Sequence, residues 1–336
     1  MEKVFINTSQ VDLIIKLLSS CELPKENESV THAEINKLDG IDLSNCYFAI
    51  VAICHQTSPL GEPRLRGIIG NNEKVGWDYL KEKFLQTAQK NKDWTDPSFW
   101  KLINPLELAN IYADCKYGST LNRINERTFL LNDLGRVLSK SGYTNIKMLF
   151  DACNNCVSGE SGFLANLKMF KAYADPVMKK SQFFVSIARS ELKWNIMDPQ
   201  FIQSPVDYHE LRGHLRVGTV IIKNQEFLEK IIRSLPLSEE EDIELRSKIQ
   251  EINDCIGKEC KYDSSTIHYF LWNVFRNCCP RESDKTHCFQ CSTSCGLPAS
   301  YNNLFIYEGK CFFSNFCISA GKVEKFLDPP YIGHYY

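Results

Sequence analysis

Apolar residues recur every three or four positions along most of this chain, and this spacing constrains the fold more than any other feature. On a helix such residues lie on one face, whereas a half-buried strand would show strict alternation. The clearest runs comprise Val11, Ile14, Ile15, Leu17, Leu18, Phe129, Leu130, Leu134, Val137 and Leu138. Strand-like patterns are short and lie at 219–222 and 305–307. The chain is therefore predicted to be all-α, or mostly α-helical.

One helix start is indicated at Ser238. Three consecutive glutamates follow this serine. A serine with an acid three residues later forms a capping box, and acids in the first turn interact favourably with the helix dipole. Ile243, Leu245 and Ile249 follow at helical spacing. We therefore predict a helix over 238–255.

The charges of the chain nearly cancel, since 39 Lys and Arg residues face 41 Asp and Glu residues for a net charge of −2. This excludes a basic field over the whole molecule, so any contact with nucleic acid must come from a local patch. Residues 164–223 hold nine bases and five acids, about +4, whereas residues 239–263 hold four bases and nine acids, about −5. These runs indicate either solvated helix faces or, in the basic case, a face that meets phosphate.

The first residues do not resemble a secretory signal. The opening run MEKVFINTSQVDLIIKLL contains Asp12 and Lys16 and lacks a small-residue cleavage site. No apolar run approaches the roughly 20 residues that a membrane span requires. We expect an intracellular, cytoplasmic protein that is monomeric and has no membrane association.

Fifteen cysteines, an odd number, argue against a complete disulfide framework. Cys279, Cys288, Cys291 and Cys295 have the spacing C-x8-C-x2-C-x3-C near the C-terminus. Thiolates this close in sequence can converge on one soft metal centre, because a C-x2-C turn directs both sulfurs inward. Four thiolates suit either tetrahedral zinc or a [4Fe–4S] cluster. A chance grouping of reduced thiols is the simpler alternative.

Three further cysteines compete for places in this site. Cys278 could replace Cys279, whereas Cys311 and Cys317 could replace Cys295 or form a second small site. The other cysteines are expected to be buried thiols; they are Cys21, Cys46, Cys54, Cys115, Cys153, Cys156, Cys255 and Cys260.

Upstream of the cysteines, Lys180 and Asp207 are notable for their order along the chain. Lys180 precedes an apolar helical run, and Asp207 opens a later helix that contains Arg212 and Arg216. The cysteines follow about 70 residues after Asp207. A lysine or an aspartate alone would mean little, but this order is informative.

With this order of lysine, aspartate and cysteines, the chain resembles the helix-hairpin-helix DNA glycosylase superfamily. The resemblance is to its iron–sulfur-containing, endonuclease III-like members. The stretch from Val206 to Arg212 is similar to the family's V-D-x-H-x-x-R segment, which holds the catalytic aspartate. Lys180-Ser181 is similar to the K-[ST] pair, where bifunctional members keep a Schiff-base lysine. Residues 268–279 are similar to the helix that ends in G-R-x-x-C before the cluster.

Two shorter stretches extend the resemblance, and three features depart from it. Asp175-Pro176 is more similar to archaeal 8-oxoguanine glycosylases, and Val51–Thr57 is similar to an L-L-S-x-Q-x-T motif whose glutamine enters the space left by a flipped base. The hairpin lacks the family's G-x-G turn, and the usual cysteine spacing is C-x6-C-x2-C-x5-C. The stretch between Gln56 and Lys180 is also longer than is typical.

The resemblance implies a two-lobed helical fold and an enzyme that cleaves the N-glycosidic bond of a damaged or modified base in double-stranded DNA. Asp207 would stabilise the positive charge that develops on the sugar and orient the nucleophile. Lys180, or Lys179 in its place, would attack C1′ and form a Schiff base, which would add AP-lyase activity. The implied cofactor is a [4Fe–4S] cluster, with zinc as the alternative.

Candidates for the base pocket come from the aromatic-rich N-terminal part. A flipped base is recognised by stacking and by hydrogen bonds to its edge. Trp77 and Tyr79 offer stacking surfaces, Asp78 offers a carboxylate acceptor, and His55 and Gln56 offer polar edges. The alternative for the two aromatic residues is an ordinary place in the core.

The predicted substrate-binding set also includes Lys179, His209 and Arg212. Arg212 and Arg216 lie one turn apart, so a joint contact with phosphate or with an acidic group is expected. For His209 the alternative is a hydrogen-bonded position inside the start of its helix.

We predict three parts, namely an N-terminal helical part at 1–125 that contributes to the base pocket, a catalytic core at 126–265 and a cluster-binding region at 266–336.

Two other functions stay open. One is a glycosylase that acts on RNA or on a modified nucleotide, and the other is a non-catalytic, zinc-containing protein that binds nucleic acid.

Overall fold

Helices dominate the computed structural model, which describes residues 2–24, 40–59, 62–281, 288–289, 297, 299–301, 304, 310–322, 326–330 and 333–336. The α-helices are α1 (Thr8–Leu18), α2 (Leu43–Ala52), α3 (Gly76–Lys90), α4 (Pro97–Trp100), α5 (Pro105–Ile111), α6 (Ile124–Lys140), α7 (Ile146–Ala152), α8 (Phe163–Leu167), α9 (Lys179–Ser190), α10 (Tyr208–Val217), α11 (Gln225–Ile232), α12 (Glu239–Cys260) and α13 (Ser264–Asn277). The strands form three antiparallel pairs and are β1 (Val4–Ile6), β2 (Arg66–Ile69), β3 (Asn72–Val75), β4 (Ala113–Asp114), β5 (Gly118–Ser119) and β6 (Val220–Ile222). The prediction of a mostly helical chain is confirmed. None of the described helices has the length and apolar character needed to cross a membrane.

The predicted helix start at Ser238 is confirmed. Ser238 Oγ accepts a hydrogen bond from the Glu241 backbone N at 3.2 Å, and the Glu241 carboxylate accepts one from the Ser238 backbone N at 2.9 Å. Helix α12 extends past its predicted end because Ile256 continues the buried face. The predicted strand at 219–222 is present as β6. The one predicted at 305–307 lies outside the described residues.

A first compact unit combines Met1–Val30 with Ile202–Ile332. In this unit β1 pairs with β6, and α1 packs on α12. Helices α10, α12 and α13 also pack on one another. The α10–α13 contact is close because the Phe275 ring occupies the space where a side chain on Gly213 would lie. This packing places the first turn of α10 beside α13.

A second compact unit combines Thr31–Phe201 with Gly333–Tyr336. Helix α2 forms its centre, since every side chain after the first two residues of the helix is buried. Helices α3, α6, α7 and α9 pack around it. Phe48 of α2 stacks on Tyr173 with ring centroids 4.8 Å apart. The end of α2 therefore lies inside the unit, where α6 and α9 can contact it.

These two units divide the chain differently from the predicted parts at 1–125, 126–265 and 266–336. The prediction used consecutive segments, whereas the β1–β6 pair and the α1–α12 contact place the N-terminal residues with the C-terminal half. Lys180 consequently belongs to the second unit and Asp207 to the first.

Candidate active site

The residues before Lys180 determine how helix α9 begins. Asp175 accepts hydrogen bonds from the backbone N of Val177 at 3.1 Å and of Lys179 at 2.9 Å. Met178 has a φ of 55°, in the left-handed region, so the chain turns sharply into the helix. The aspartate-proline pair noted in the sequence therefore orients the first turn of α9, which carries Lys180.

The Lys180 side chain is fully buried. Its Nζ donates a hydrogen bond to the Ala52 carbonyl at 2.5 Å and lies 3.3 Å from His55 Nδ1. Burial lowers the pKa of Lys180 to about 7, with a further lowering from the charge of Lys179 and an opposing effect from the Cys54 thiol. A lysine that is partly uncharged at neutral pH is suited to act as a nucleophile.

His55 lies between Lys180 and Glu126. Its ring is fully buried, and its Nε2 lies 2.8 Å from Glu126 Oε1. Burial, together with the charges of Arg127 and Lys180, holds the pKa of His55 well below its usual value, so the ring is neutral. Glu126 also forms an ion pair with Arg123. The structure thus places His55 against the lysine and the glutamate, rather than at an open polar edge.

Arg127, which is fully buried, fixes the chain that follows α2. Its guanidinium donates to the carbonyls of Ile53, His55 and Asn122 and to the Asn122 side chain. Burial lowers the pKa of Arg127 to about 10. Sequence reasoning missed Glu126 and Arg127, because an acid and a base near a helix start usually face solvent. The available signal was the register of Arg127 with the buried leucines of α6.

Lys179 and Trp77, both predicted to bind substrate, are brought together by Phe183. Lys179 Nζ lies over the Phe183 ring, 5.0 Å from its centroid, and donates to Cys54 Sγ at 3.8 Å. The Trp77 ring contacts Phe183 edge-on at 4.9 Å between centroids. Trp77 and Asp78, in the first turn of α3, are half-buried. This group has an aromatic face and a cation beside the buried lysine.

Tyr79 is a core residue, and the prediction that it offers a stacking surface is wrong. Its ring is fully buried where a side chain on Gly67 would lie, and its hydroxyl donates to the Tyr112 carbonyl at 3.4 Å. Burial raises the pKa of Tyr79 to about 12. Its position in the helix pattern was compatible with either place.

Gln56 is held by the C-terminal residues of the second unit. It has a φ of 46°, and its Oε1 accepts a hydrogen bond from Arg123 Nη1 at 3.0 Å. Its Nε2 donates to the Gly333 carbonyl at 3.2 Å, which also accepts from Arg123 at 2.8 Å. The entry of Gln56 into a duplex stays a prediction.

In the first unit, Asp207 caps the N-terminus of α10. Its Oδ1 accepts hydrogen bonds from the backbone N of His209 at 2.8 Å and of Glu210 at 3.3 Å. Its Oδ2 accepts one from Trp272 Nε1 at 2.9 Å. Hydrogen bonds from N–H groups and the positive end of a helix stabilise an ionised carboxylate. Trp272 lies in the 268–276 stretch that resembles the family's helix before the cluster. The sequence did not indicate that this tryptophan would contact Asp207.

His209 packs beside this aspartate between two aromatic rings. Its ring centroid lies 4.2 Å from that of Tyr208 and 5.8 Å from that of Trp272. Its Nδ1 is 2.8 Å from Arg212 Nη2. His209 therefore has a defined place in the start of α10, and its contact with substrate stays a prediction.

Arg212 is buried, and of the two partners that the sequence left open, phosphate or an acidic group, the structure shows the acidic one. Its guanidinium forms an ion pair with Asp328 and donates to the Cys279 carbonyl at 2.7 Å. Arg216 is equally buried. With Lys179 and Lys180, four of the nine bases in 164–223 are buried, so this stretch is not a continuous basic surface.

Arg216 binds the chain at the first predicted cysteine ligand. Its Nη1 donates to Cys279 Sγ at 3.3 Å and to the Pro280 carbonyl at 2.6 Å. Its Nη2 donates to the Arg281 carbonyl at 3.2 Å, and its Nε to the Phe326 carbonyl at 2.6 Å.

Four thiols, those of Cys279, Cys288, Cys311 and Cys317, line one small cavity, which we call the thiol cluster. The Cys311 backbone N donates to the Cys288 carbonyl at 2.9 Å, which joins two of the segments. Burial and the other three thiols raise the pKa of Cys311 to about 12. Cys278 also lines the cavity, and much of the remaining wall is apolar.

The thiol cluster is a group of soft sulfur donors. Cys291 and Cys295, which the spacing also suggested, lie outside the described residues. Within the described part, no group of three or more His, Cys, Asp or Glu side chains could hold a metal ion. Four thiolates around one zinc ion stand about 3.8 Å apart. In a [4Fe–4S] cluster each thiolate binds a different iron, so the sulfurs stand farther apart.

No protein-family model matches this chain, and a search of curated proteins finds no match. Function is therefore argued from the groups described above: a buried lysine with a lowered pKa in the second unit, and a capped aspartate and a thiol cluster in the first.

Proposed function

We propose that this protein is a DNA N-glycosylase with AP-lyase activity, which releases a damaged or modified base from double-stranded DNA. The observation that carries this proposal is the fully buried Lys180, whose pKa is lowered to about 7. Attack on a sugar carbon requires a free amine, which an exposed lysine rarely provides at neutral pH. Strongly shifted ionisable groups are typical of functional sites.

In the proposed reaction, Lys180 Nζ bonds to C1′ of the sugar while the N-glycosidic bond breaks. The base leaves with the bonding electron pair and takes up a proton. Loss of a proton from Nζ and opening of the sugar ring, whose oxygen takes up a proton, give a Schiff base. Loss of the C2′ proton then forms the C2′=C3′ double bond and expels the 3′ phosphate. Asp207 stabilises the positive charge that develops on the sugar. Lys180 belongs to the second unit and Asp207 to the first, and each role is assigned from the chemistry of its own side chain and surroundings.

The proposal includes a two-lobed helix-hairpin-helix glycosylase-like fold. The oriented turn before α9 and the aspartate cap of α10 support it, since both coincide with stretches that resemble the family. Trp77, Gln56 and Lys179 are the proposed contacts of the second unit with the flipped base or its strand. Arg212 and Tyr79 are no longer among these contacts, because Arg212 is held in an ion pair with Asp328 and the Tyr79 ring packs against Gly67 in the core.

We propose further that the thiol cluster binds a [4Fe–4S] cluster through Cys279, Cys288, Cys311 and Cys317. When bound, this cofactor would supply bonds that join distant segments of the first unit. Cys311 and Cys317 thus take the places that the spacing suggested for Cys291 and Cys295, which lie outside the described residues. The cavity combines soft thiol donors with a largely apolar wall. This supports an iron–sulfur cluster as its occupant over a hard cation.

The test is a panel of duplex oligonucleotides that each carry one modified base, with matching RNA and free nucleosides. Mass spectrometry measures the released base, and borohydride traps the Schiff base. We expect release from duplex DNA, a loss of about 10²- to 10⁴-fold in Asp207→Asn, and no trapped adduct in Lys180→Ala.

Two matched variants are the controls. Asp263→Asn changes an exposed N-cap aspartate of α13, and Lys168→Ala changes an exposed lysine, so both should keep full activity. Full activity of Asp207→Asn, or an adduct in Lys180→Ala, would overturn the assigned roles. Release from RNA or nucleosides alone would overturn the DNA substrate.

A further inference from the structure

His55 and Glu126 face each other through two atoms that have no role in the reaction proposed above. His55 Nε2 and Glu126 Oε1 are 2.8 Å apart, although they are not aligned as a hydrogen bond. Neither atom has a hydrogen-bonding partner among the residues that the structure describes. On the other side of the ring, Nδ1 lies 3.3 Å from Lys180 Nζ. The imidazole thus stands between the buried amine and a carboxylate.

We infer that His55 accepts the proton that Lys180 must lose and that Glu126 positions His55 and receives the proton passed on. The inference rests on the proposed role of Lys180 as the nucleophile. It assigns His55 to catalysis, because its ring faces the reacting nitrogen, and it makes Glu126 a positioning residue that acts through His55.

The proton transfer is balanced and leaves the ring neutral. A proton moves from Lys180 Nζ to His55 Nδ1, while the proton on Nε2 moves to Glu126 Oε1. A ring whose pKa is held well below its usual value favours this double transfer over a charged imidazolium. The Glu126 side chain is 29% exposed although Oε1 itself is buried, so the proton reaches solvent through the exposed part of the carboxyl group. Its ion pair with Arg123 keeps the carboxylate in place.

Charged and titratable groups from every neighbouring element surround Lys180. They are Cys54 and His55 after α2, Arg123 just before α6, Glu126 and Arg127 of α6, Lys179 of α9, and His334 of the C-terminal residues. Glu126 is the carboxylate in this set and raises the pKa of Lys180. Its replacement by glutamine therefore frees the amine at lower pH. A purely electrostatic role for Glu126 would leave the maximal rate of amine attack unchanged or raise it, whereas the proton path predicts a fall.

The first experiment determines the tautomer of His55 by nitrogen NMR of the full chain labelled at histidine, with the signal assigned by its loss in His55→Gln. We expect a neutral ring that is protonated on Nε2, with a change in its signals in Glu126→Gln. A ring protonated on Nδ1 would overturn the inference, because that nitrogen could not accept a proton. This measurement does not depend on any substrate.

The second experiment follows borohydride trapping on a duplex with a preformed abasic site between pH 5 and 9, so that base release is not needed. In Glu126→Gln we expect a maximal rate lowered by roughly 100-fold and a rising limb at lower pH, with partial recovery in Glu126→Asp. The matched control is Glu107→Gln, which changes the glutamate at the same position in the first turn of α5.

The outcomes separate the inference from the proposed function. An unchanged maximal rate in Glu126→Gln would overturn the proton path while leaving the Schiff-base reaction intact. If the wild-type protein formed no adduct at any pH, the proposed AP-lyase function would fail, and the tautomer of His55 would still decide whether its Nδ1 can accept a proton from Lys180.

Discussion

In the second unit, Lys180 is buried against a backbone carbonyl and a neutral imidazole, whereas in the first unit Asp207 is buried against three N–H donors. Both groups are shielded from water, but only the aspartate has its charge matched by its hydrogen-bonding partners. The environment of Lys180 lowers its pKa, whereas that of Asp207 supplies hydrogen-bond donors to both of its carboxylate oxygens.

This difference suggests a division of roles between two ionisable groups. An amine with a pKa of about 7 can exchange a proton during a reaction, whereas a capped carboxylate provides a fixed negative charge. Pairs of groups whose environments push them toward opposite behaviour are typical of acid–base chemistry. The comparison can be tested through stability as well as activity.

The largest expected effect is the loss of bound iron from the thiol cluster, which belongs to the first unit. Cys311→Ser and Cys317→Ser should lower bound iron from about four atoms per chain to nearly none and remove the visible absorption of the cluster. Metal analysis and absorption spectra measure this. Cys153→Ser, which changes a buried thiol of the second unit, should leave both unchanged. Iron loss in Cys291→Ser and Cys295→Ser instead would restore the ligand set suggested by spacing.

Replacement of Lys180 by methionine should stabilise the second unit. The pKa of Lys180 falls from its usual 10.5 to about 7, so the unfolded state binds more protons than the folded state between these values. At pH 7 or below we expect Lys180→Met to raise the free energy of unfolding by about 3–5 kcal/mol. The gain should shrink as the pH rises toward 10.5. Urea unfolding at pH 7 and pH 10 measures it.

The control for this prediction is Lys168→Met, at an exposed position, which should change stability by less than about 0.5 kcal/mol. A gain for Lys180→Met that did not depend on pH would show that its cause is packing rather than the buried charge.

Asp207 should show the opposite sign. Asp207→Ala removes an N-cap and leaves the first turn of α10 and the Trp272 N–H without their acceptor, so we expect a loss of about 1–2 kcal/mol. Asp207→Asn keeps one capping oxygen, but its amide nitrogen cannot accept the hydrogen bond from Trp272 Nε1, so it should cost about 1 kcal/mol. A stabilised Asp207→Ala would contradict the comparison, because the carboxylate would then resemble the lysine. Asp263→Ala, at an exposed cap, should cost less than Asp207→Ala.

The sequence indicated Lys180 and Asp207 because helix starts are encoded locally, by caps and by the turns that precede them. It did not indicate the His55–Glu126 contact, which joins the end of α2 to α6 through tertiary packing. Tyr79 and Arg212 were misplaced for the same reason, since burial depends on which neighbours cover a residue.

The choice among cysteines also depends on the fold. Cys311 lies 23 positions after Cys288 (311 − 288), yet its backbone N binds the Cys288 carbonyl. The spacing of cysteines along the sequence favours close neighbours such as Cys291. It does not show that a later segment folds back to line the same cavity.

The smallest effect is expected from Trp272→Phe, which removes one donor to Asp207 and keeps an aromatic ring. Asp207 retains its two backbone donors, so its charge should persist while its orientation loosens. We expect base release to fall by about 10-fold, equivalent to about 1.4 kcal/mol, with no change in the pH dependence of the Lys180 adduct. Release kinetics and trapping on a preformed abasic site measure the two effects separately.

The matched control is Trp100→Phe in the second unit, which also removes a buried indole N–H, in that case from the Trp94 carbonyl at 2.9 Å. Both variants lose a comparable hydrogen bond, so both should lose a similar amount of stability, about 1 kcal/mol. Only Trp272→Phe should slow base release. Equal rates of base release by the two variants would mean that the backbone N–H groups of α10 alone orient Asp207. The Trp272 N–H would then be a structural difference between the surroundings of Asp207 and Lys180 without an effect on the reaction.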